Sequence, residues 1–134
     1  MLRTLFLQAP SFDGFDGGAG SRYQAKREIR SFWFPTWLAQ PAALVEKSKL
    51  VDAPPHGQRL PEVVAMAKDF DLVVVHTSVP SFKSDVKTIE ALKAANPNLK
   101  AGLIGAKVAV QPDRSMIEAP VVDFVARNEF DFTI

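Results

Sequence analysis

The chain contains no cysteine. Disulfides and thiolate metal centres are therefore excluded within it, while the redox state of its compartment goes unrecorded, because an absence fits either side. Histidine is nearly missing as well. His56 and His76 are the only two, Asp52 is the one carboxylate at helical spacing from either, and a zinc-type cluster would lack ligands. No apolar run approaches the roughly 20 residues that span a bilayer. The opening Met1-Leu2-Arg3-Thr4-Leu5-Phe6-Leu7 is too short for a signal peptide and reads as a buried first strand. Neither sign of charge prevails: 16 Lys and Arg stand against 15 Asp and Glu, for a net charge of +1. No global field draws such a chain to nucleic acid or anionic lipid. A Ser/His/Asp arrangement and a paired-carboxylate arrangement are both missing, so no residue is nominated as catalytic.

What remains is ordinary for a globular domain. At 134 residues, with 47% hydrophobic and 23% charged, the chain is one domain with a sizeable core. Strand-like apolar runs alternate with helix-like amphipathic runs, the rhythm of a parallel α/β sheet. Residues 2–8 are the first strand, near-continuously apolar as a strand covered on both faces should be. Trp37, Leu38, Ala42 and Val45 give a helical stripe after Pro35, which Pro41 should kink or shorten. Ser48 to Asp52 is a second strand. Leu60, Val63, Val64 and Ala67 mark a second helix. Residues 71–76 (Asp-Leu-Val-Val-Val-His) form the strongest strand, expected at the sheet centre. Ser84 is a plausible cap for a third helix carrying Val86, Ile89 and Leu92, ended by Asn96-Pro97. Residues 100–105 are a fourth strand, residues 116–119 a short fourth helix and residues 121–126 a fifth strand.

The fold class that follows is α/β, a doubly wound five-stranded parallel sheet of the flavodoxin-like, Rossmann-type three-layer kind. Ligands of such sheets bind beyond the carboxyl ends of the strands, near the topological switch point. The closing Glu129-Phe130-Asp131-Phe132-Thr133-Ile134 resembles a strand end and helix start with no helix behind it, so the domain is expected to continue into a longer protein.

Two segments stand apart from the strand-helix rhythm. Residues 14–20 (Gly-Phe-Asp-Gly-Gly-Ala-Gly) lack both the G-x-G-x-x-G spacing and the Lys-Ser/Thr pair of a P-loop, which favours a flexible lid or docking loop over a phosphate cradle. Arg22, Tyr23, Lys26, Arg27, Arg30, Phe32, Trp33 and Phe34 interleave cations with aromatics. That pattern suits a face packed on another domain or an amphiphile, or simply a solvated helix followed by core aromatics. With four glycines and four cations, residues 11–34 are expected to be mobile unless a neighbour orders them.

Several stretches together resemble one family. They are Gln8-Ala9-Pro10, Phe34-Pro35-Thr36-Trp37-Leu38-Ala39, Leu50-Val51-Asp52-Ala53, the strand ending His76-Thr77-Ser78, Gly102-Leu103-Ile104-Gly105-Ala106-Lys107, and residues 127–134 from Arg127 through Glu129 to Ile134. In this order they resemble the amino-terminal cobalamin-binding domain of cobalamin-dependent radical S-adenosylmethionine enzymes. Residues 10–23 are similar to the hopanoid-biosynthesis-associated members. Asn128 and Phe130 stand where the common ending has glycines, and Ala106 and Lys107 where a Gly and a Pro often follow the fourth strand.

The resemblance implies that residues 1–134 are a cobalamin-binding domain followed by a radical S-adenosylmethionine barrel. That barrel would hold the [4Fe–4S] cluster and S-adenosylmethionine and act on a hopanoid-type lipid. It also implies a cofactor rim from Ser11 and Phe12; Thr77, Ser78, Pro80, Ser81 and Phe82; Gly105, Ala106, Lys107 and Val108; and Arg127, Asn128 and Glu129. Thr77, Ser78 and Ser81 would offer hydroxyls to corrin amides. The Asp-x-His-x-x-Gly signature that supplies a histidine to cobalt is absent. Partners are then cobalamin and the barrel, with no nucleic acid, in the cytoplasm and with peripheral membrane contact open. The competing reading is a flavodoxin- or receiver-like module without cobalamin. Gln8 and His76 occupy the strand ends where a receiver needs acids, which disfavours that form.

Overall fold

The computed structural model describes residues 1–12 and 33–134. The expectations for the glycine-rich stretch, and for mobility between residues 13 and 32, lie outside the described residues.

Five strands form one all-parallel sheet: β1 (Thr4–Gln8), β2 (Ser48–Asp52), β3 (Leu72–His76), β4 (Lys100–Ile104) and β5 (Phe124–Val125). The spatial order is β2-β1-β3-β4-β5, so β3 is central, as its apolar, β-branched run predicts. Chain order reverses between β1 and β3, which makes the cleft beyond Gln8 and His76 the switch point.

Alternate residues of the inner strands feed two cores. Leu5, Leu7, Val73, Val75, Ala101 and Leu103 pack on one face, with Val63 from α2 (Leu60–Ala65) and Val86, Ile89 and Leu92 from α3 (Phe82–Ala95). Phe6, Val74 and Ile104 point the other way, onto Leu38 and Trp37 of α1 (Thr36–Leu44) and Phe130 of a terminal 3-10 turn (Phe130–Phe132). A strand that must be apolar on both faces cannot show polar alternation, which is why these runs are continuous. The doubly wound α/β sheet of flavodoxin-like type is thus present.

Four boundaries differ from expectation. Helix α3 starts at Phe82 with Ser81 at the cap position, not at Ser84. The Phe82 N–H already donates to the Ser78 carbonyl (2.9 Å), so the helical turn closes earlier than a Ser84 cap allows. Two helices replace the one at 116–119: α4 (Ala106–Val110) and α5 (Pro112–Glu118). Their first residues look like an extended valine run, but Gly105 at φ +119° ends the strand and accepts the Ala109 N–H through its carbonyl. Pro41 does not end α1, which runs on to Leu44 with that ring buried. Strand β5 is only two residues long, because the Asp123 carboxylate just before it takes the Ala101 N–H (2.8 Å) and Lys93 (2.6 Å). Among the described residues no helix is long and apolar enough to cross a membrane.

Candidate functional site

The carboxyl edge of the sheet carries two polar clusters, one on each face. On the α1 face, Gln8 ends β1 and His76 ends β3. Gln8 is a buried amide, 1% exposed, in a strand otherwise filled with hydrocarbon. Its Oε1 accepts from Trp37 Nε1 (3.3 Å) and lies 3.2 Å from His76 Nδ1. An indole N–H only donates, so that contact identifies Oε1 as the amide oxygen and makes Nδ1 the protonated ring nitrogen of His76. The Trp37 ring stands 4.8 Å from the imidazole, tilted 37°, and Trp33 meets Trp37 edge-on at 6.5 Å. Burial pushes the His76 pKa down to about 4, so the ring is neutral at ordinary pH. Gln8 Nε2 is buried and has no hydrogen-bond partner among the described residues. An unmet buried donor costs about 1–3 kcal/mol, which points to a missing acceptor.

On the α3 face, Asp85 is 1% exposed. Its Oδ2 accepts from Thr77 Oγ1 and from Ser81 Oγ, each at 2.7 Å. Ser81 Oγ in turn meets Ser78 Oγ (2.8 Å) and accepts the Ser78 N–H (3.1 Å). Burial raises the Asp85 pKa to about 7, against the two hydroxyls that favour the anion. Thr77 and Ser81, both fully buried, are therefore committed to an internal carboxyl. Only Ser78, half-buried, stands at the solvent side of this chain of hydroxyls.

The remaining rim residues are brought together in pairs. Half-buried Phe12 shares a groove of about 480 Å³ with Pro80, Lys83, Ser84 and Lys87, while Ser11 is exposed. Gly105 lies against the end of β3: a Cβ there would fall 2.1 Å from the Thr77 carbonyl oxygen and 3.2 Å from His76 Nε2. The close approach that glycine permits here is thus to the chain itself. Ala106 is exposed, Val108 is core, and Phe82 is core too, with the Lys107 ammonium 4.9 Å over its ring. Lys107 also reaches Glu118 (3.3 Å) and Gln111 (3.2 Å). Arg127, Asn128 and Glu129 are exposed, and Arg127 Nε donates to the Ala109 carbonyl (3.2 Å). Asn128 has φ +56°, a left-handed conformation that Asn tolerates after Gly, so the replacement of a glycine there is no backbone obstacle.

Gln8, Trp37, His76 and Asp85 were not among the residues nominated from sequence. Gln8 and His76 carried a signal, a polar residue at the carboxyl end of a buried apolar strand. Asp85 carried one too, as the last of Thr77, Ser81 and Asp85 spaced four apart, which stack along one line of a helical turn. Among the described residues no three His, Cys, Asp or Glu side chains gather as a metal cluster. Comparisons with protein-family models, curated proteins and solved structures found no match.

Proposed function

We propose that this chain is a cobalamin-binding domain that serves a radical S-adenosylmethionine barrel in hopanoid lipid biosynthesis. The observation that supports the cofactor is the polar pair at the switch point. Gln8 and His76 meet across the place where doubly wound sheets take their ligands, and the buried amide nitrogen there has no acceptor among the described residues. A corrin edge carries amide oxygens that would accept from such a donor. After the carboxyl ends of β1, β3 and β4, Ser11, Ser78, Pro80, Gly105 and Ala106 are small or backbone-rich and at least partly exposed, as a broad flat ligand requires. Thr77 and Ser81 do not fit the role the resemblance gives them, since their hydroxyls are bound to Asp85. Polar contacts to the cofactor then fall to Ser11, Ser78, Gln8, Arg127 and Glu129. When bound, cobalamin supplies the radical or group-carrying chemistry at its cobalt. The barrel, its iron–sulfur cluster and the lipid substrate rest on the resemblance of residues 10–23 and 127–134.

The test is a titration of hydroxocobalamin into the chain, followed by desalting and a visible spectrum. Retained, saturable corrin absorption is expected, weakened at least about tenfold in Ser78→Tyr, which fills the rim. Loss of all corrin on desalting together with no saturable spectral change, or equal binding by the blocked variant, would sink the reading. A flavodoxin-like module would instead retain flavin mononucleotide in the same assay.

A further inference from the structure

Helix α3 has a hollow on either side of two lysines. Lys83 and Lys87 stand one turn apart and are both exposed. With Phe12, Pro80 and Ser84 they line the groove of about 480 Å³ at the carboxyl edge. With Phe82, Val86, Glu90 and Glu118 they line a second hollow, of about 370 Å³, between α3 and α5. Both volumes fall in the range of small-ligand pockets, roughly 300–1,000 Å³. The two hollows meet at the lysines, so one ligand can occupy both.

Charge decides what that ligand is. Lys107 pairs with Glu118 (3.3 Å) and lies over the Phe82 ring, and Arg114 holds the same carboxylate at 2.6 Å. Asp85, on the inner side of α3, accepts from the Thr77 and Ser81 hydroxyls. Lys83 and Lys87 meet no carboxylate among the described residues, and neither does Glu90 meet a cation. Like charges at i and i+4 oppose a helix, and an anion set between them removes that opposition. Two ammonium charges are matched by a phosphate monoester, which carries about two negative charges near neutral pH, better than by a singly charged carboxylate. No described carboxylate lines the first hollow, and Ser84 adds a hydroxyl there. The second hollow has the apolar floor, Phe82 and Val86, and the two carboxylates that would repel a phosphate. We propose that this groove binds a small phosphate monoester with an apolar body. Its phosphate lies between Lys83, Lys87 and Ser84, and its body lies on Phe82, Val86 and the hydrocarbon stems of the lysines. The site is separate from the Gln8–His76 pair on the α1 face and does not rest on the cofactor proposed above.

The probe is 1-naphthyl phosphate, titrated into the ¹⁵N-labelled full chain and followed by amide chemical shifts. Saturable shifts are expected at residues 83–90 and at Glu118, with affinity falling as salt is raised. Naphthoate, which has one charge, and inorganic phosphate, which has no apolar body, should each bind at least about tenfold more weakly. Lys83→Gln combined with Lys87→Gln should lower affinity at least about tenfold, whereas replacing both by arginine retains it. Lys68→Gln, at an exposed lysine of another element, should leave affinity unchanged. Both groove lysines are exposed, and unmoved amides in β1, β3 and β4 report that each variant is folded. Four results would each overturn the site. They are equal affinity for naphthoate or inorganic phosphate, full affinity in the double glutamine variant, shifts centred on Gln8 and His76 instead, and no saturable shift at all.

Discussion

Two buried titratable side chains at the carboxyl edge oppose one another in their effect on stability. His76 has a folded pKa of about 4, below its unfolded value near 6.5. Its contribution is complete above pH 6.5 and is lost as pH falls toward 4. Asp85 has a folded pKa of about 7, above its unfolded value of 3.8. Its contribution is complete below pH 3.8 and is lost as pH rises through 7. Between pH 4 and 6.5 the two slopes have opposite sign, so the native chain should show nearly flat stability there. Asp85→Asn unmasks His76, and urea midpoints should then rise over that window by the equivalent of about 2 kcal/mol, allowing for partial exposure of the ring. His76→Phe unmasks Asp85, and stability should fall as pH rises from 4 to 7. The same slope in both variants would show that these two groups do not govern the window. Asp71, held down by the Arg3 hydrogen bond, and Glu118, held down by Arg114, weaken the fold only at more acid pH. Gly105 is the residue whose replacement should be most damaging. With φ +119° and the Thr77 carbonyl 2.1 Å from where a Cβ would sit, Gly105→Ala should cost about 2–4 kcal/mol by denaturant titration.

At the scale of elements, polar side chains settle several boundaries that hydrophobic period leaves open. Asn96 ends α3, as the Asn-Pro pair indicates, but it also ties two elements together. Its Nδ2 donates to the carbonyls of Ala67 (2.9 Å) and Phe70 (3.0 Å), on either side of a 3-10 turn (Ala67–Asp69). Asn96→Ala removes both bonds, leaving the Ala67 carbonyl only the Phe70 N–H (3.4 Å), and should lower stability by about 1–3 kcal/mol, whereas Asn98→Ala, at an exposed position, should change it little. Equal losses in the two variants would show that the cross-element bonds contribute nothing. Helix α3 and strand β5 were placed with shifted ends for a related reason: Asp85 and Asp123 take hydroxyl or backbone donors from residues that propensity assigns elsewhere. A side chain that reaches 22 residues back to the Ala101 N–H leaves no local trace. Helix α4 was missed because valine favours extended backbone, and only the left-handed Gly105 turns the chain into a helix.

For the whole molecule, the central strands should open last. β1, β3 and β4 are paired on both sides and covered on both faces, while β5 is a two-residue edge pairing with β4 alone. Amide exchange should therefore be slowest at residues 5–7, 73–75 and 101–103, and fast at 124–125 and 130–132. Uniform protection across β4 and β5 would contradict this ranking. Strand identity, the central place of residues 72–76 and the α/β class were legible because apolar runs of strand length, interrupted by amphipathic segments, have few other ways to bury themselves. The edge at which the strands' carboxyl ends gather was legible for the same reason, since parallel topology puts every one of them on one side. Which side chains work at that edge was decided only in three dimensions. Gln8 and His76 are 68 residues apart and meet because β1 and β3 are neighbours in register. Thr77 and Ser81 turned inward because Asp85 lies one helical turn beyond Ser81, and a buried carboxyl takes the donors within reach before any ligand can. Local sequence determines how a segment buries its hydrocarbon; which polar atoms are left unpaired at the sheet edge depends on distances between segments that no local pattern encodes.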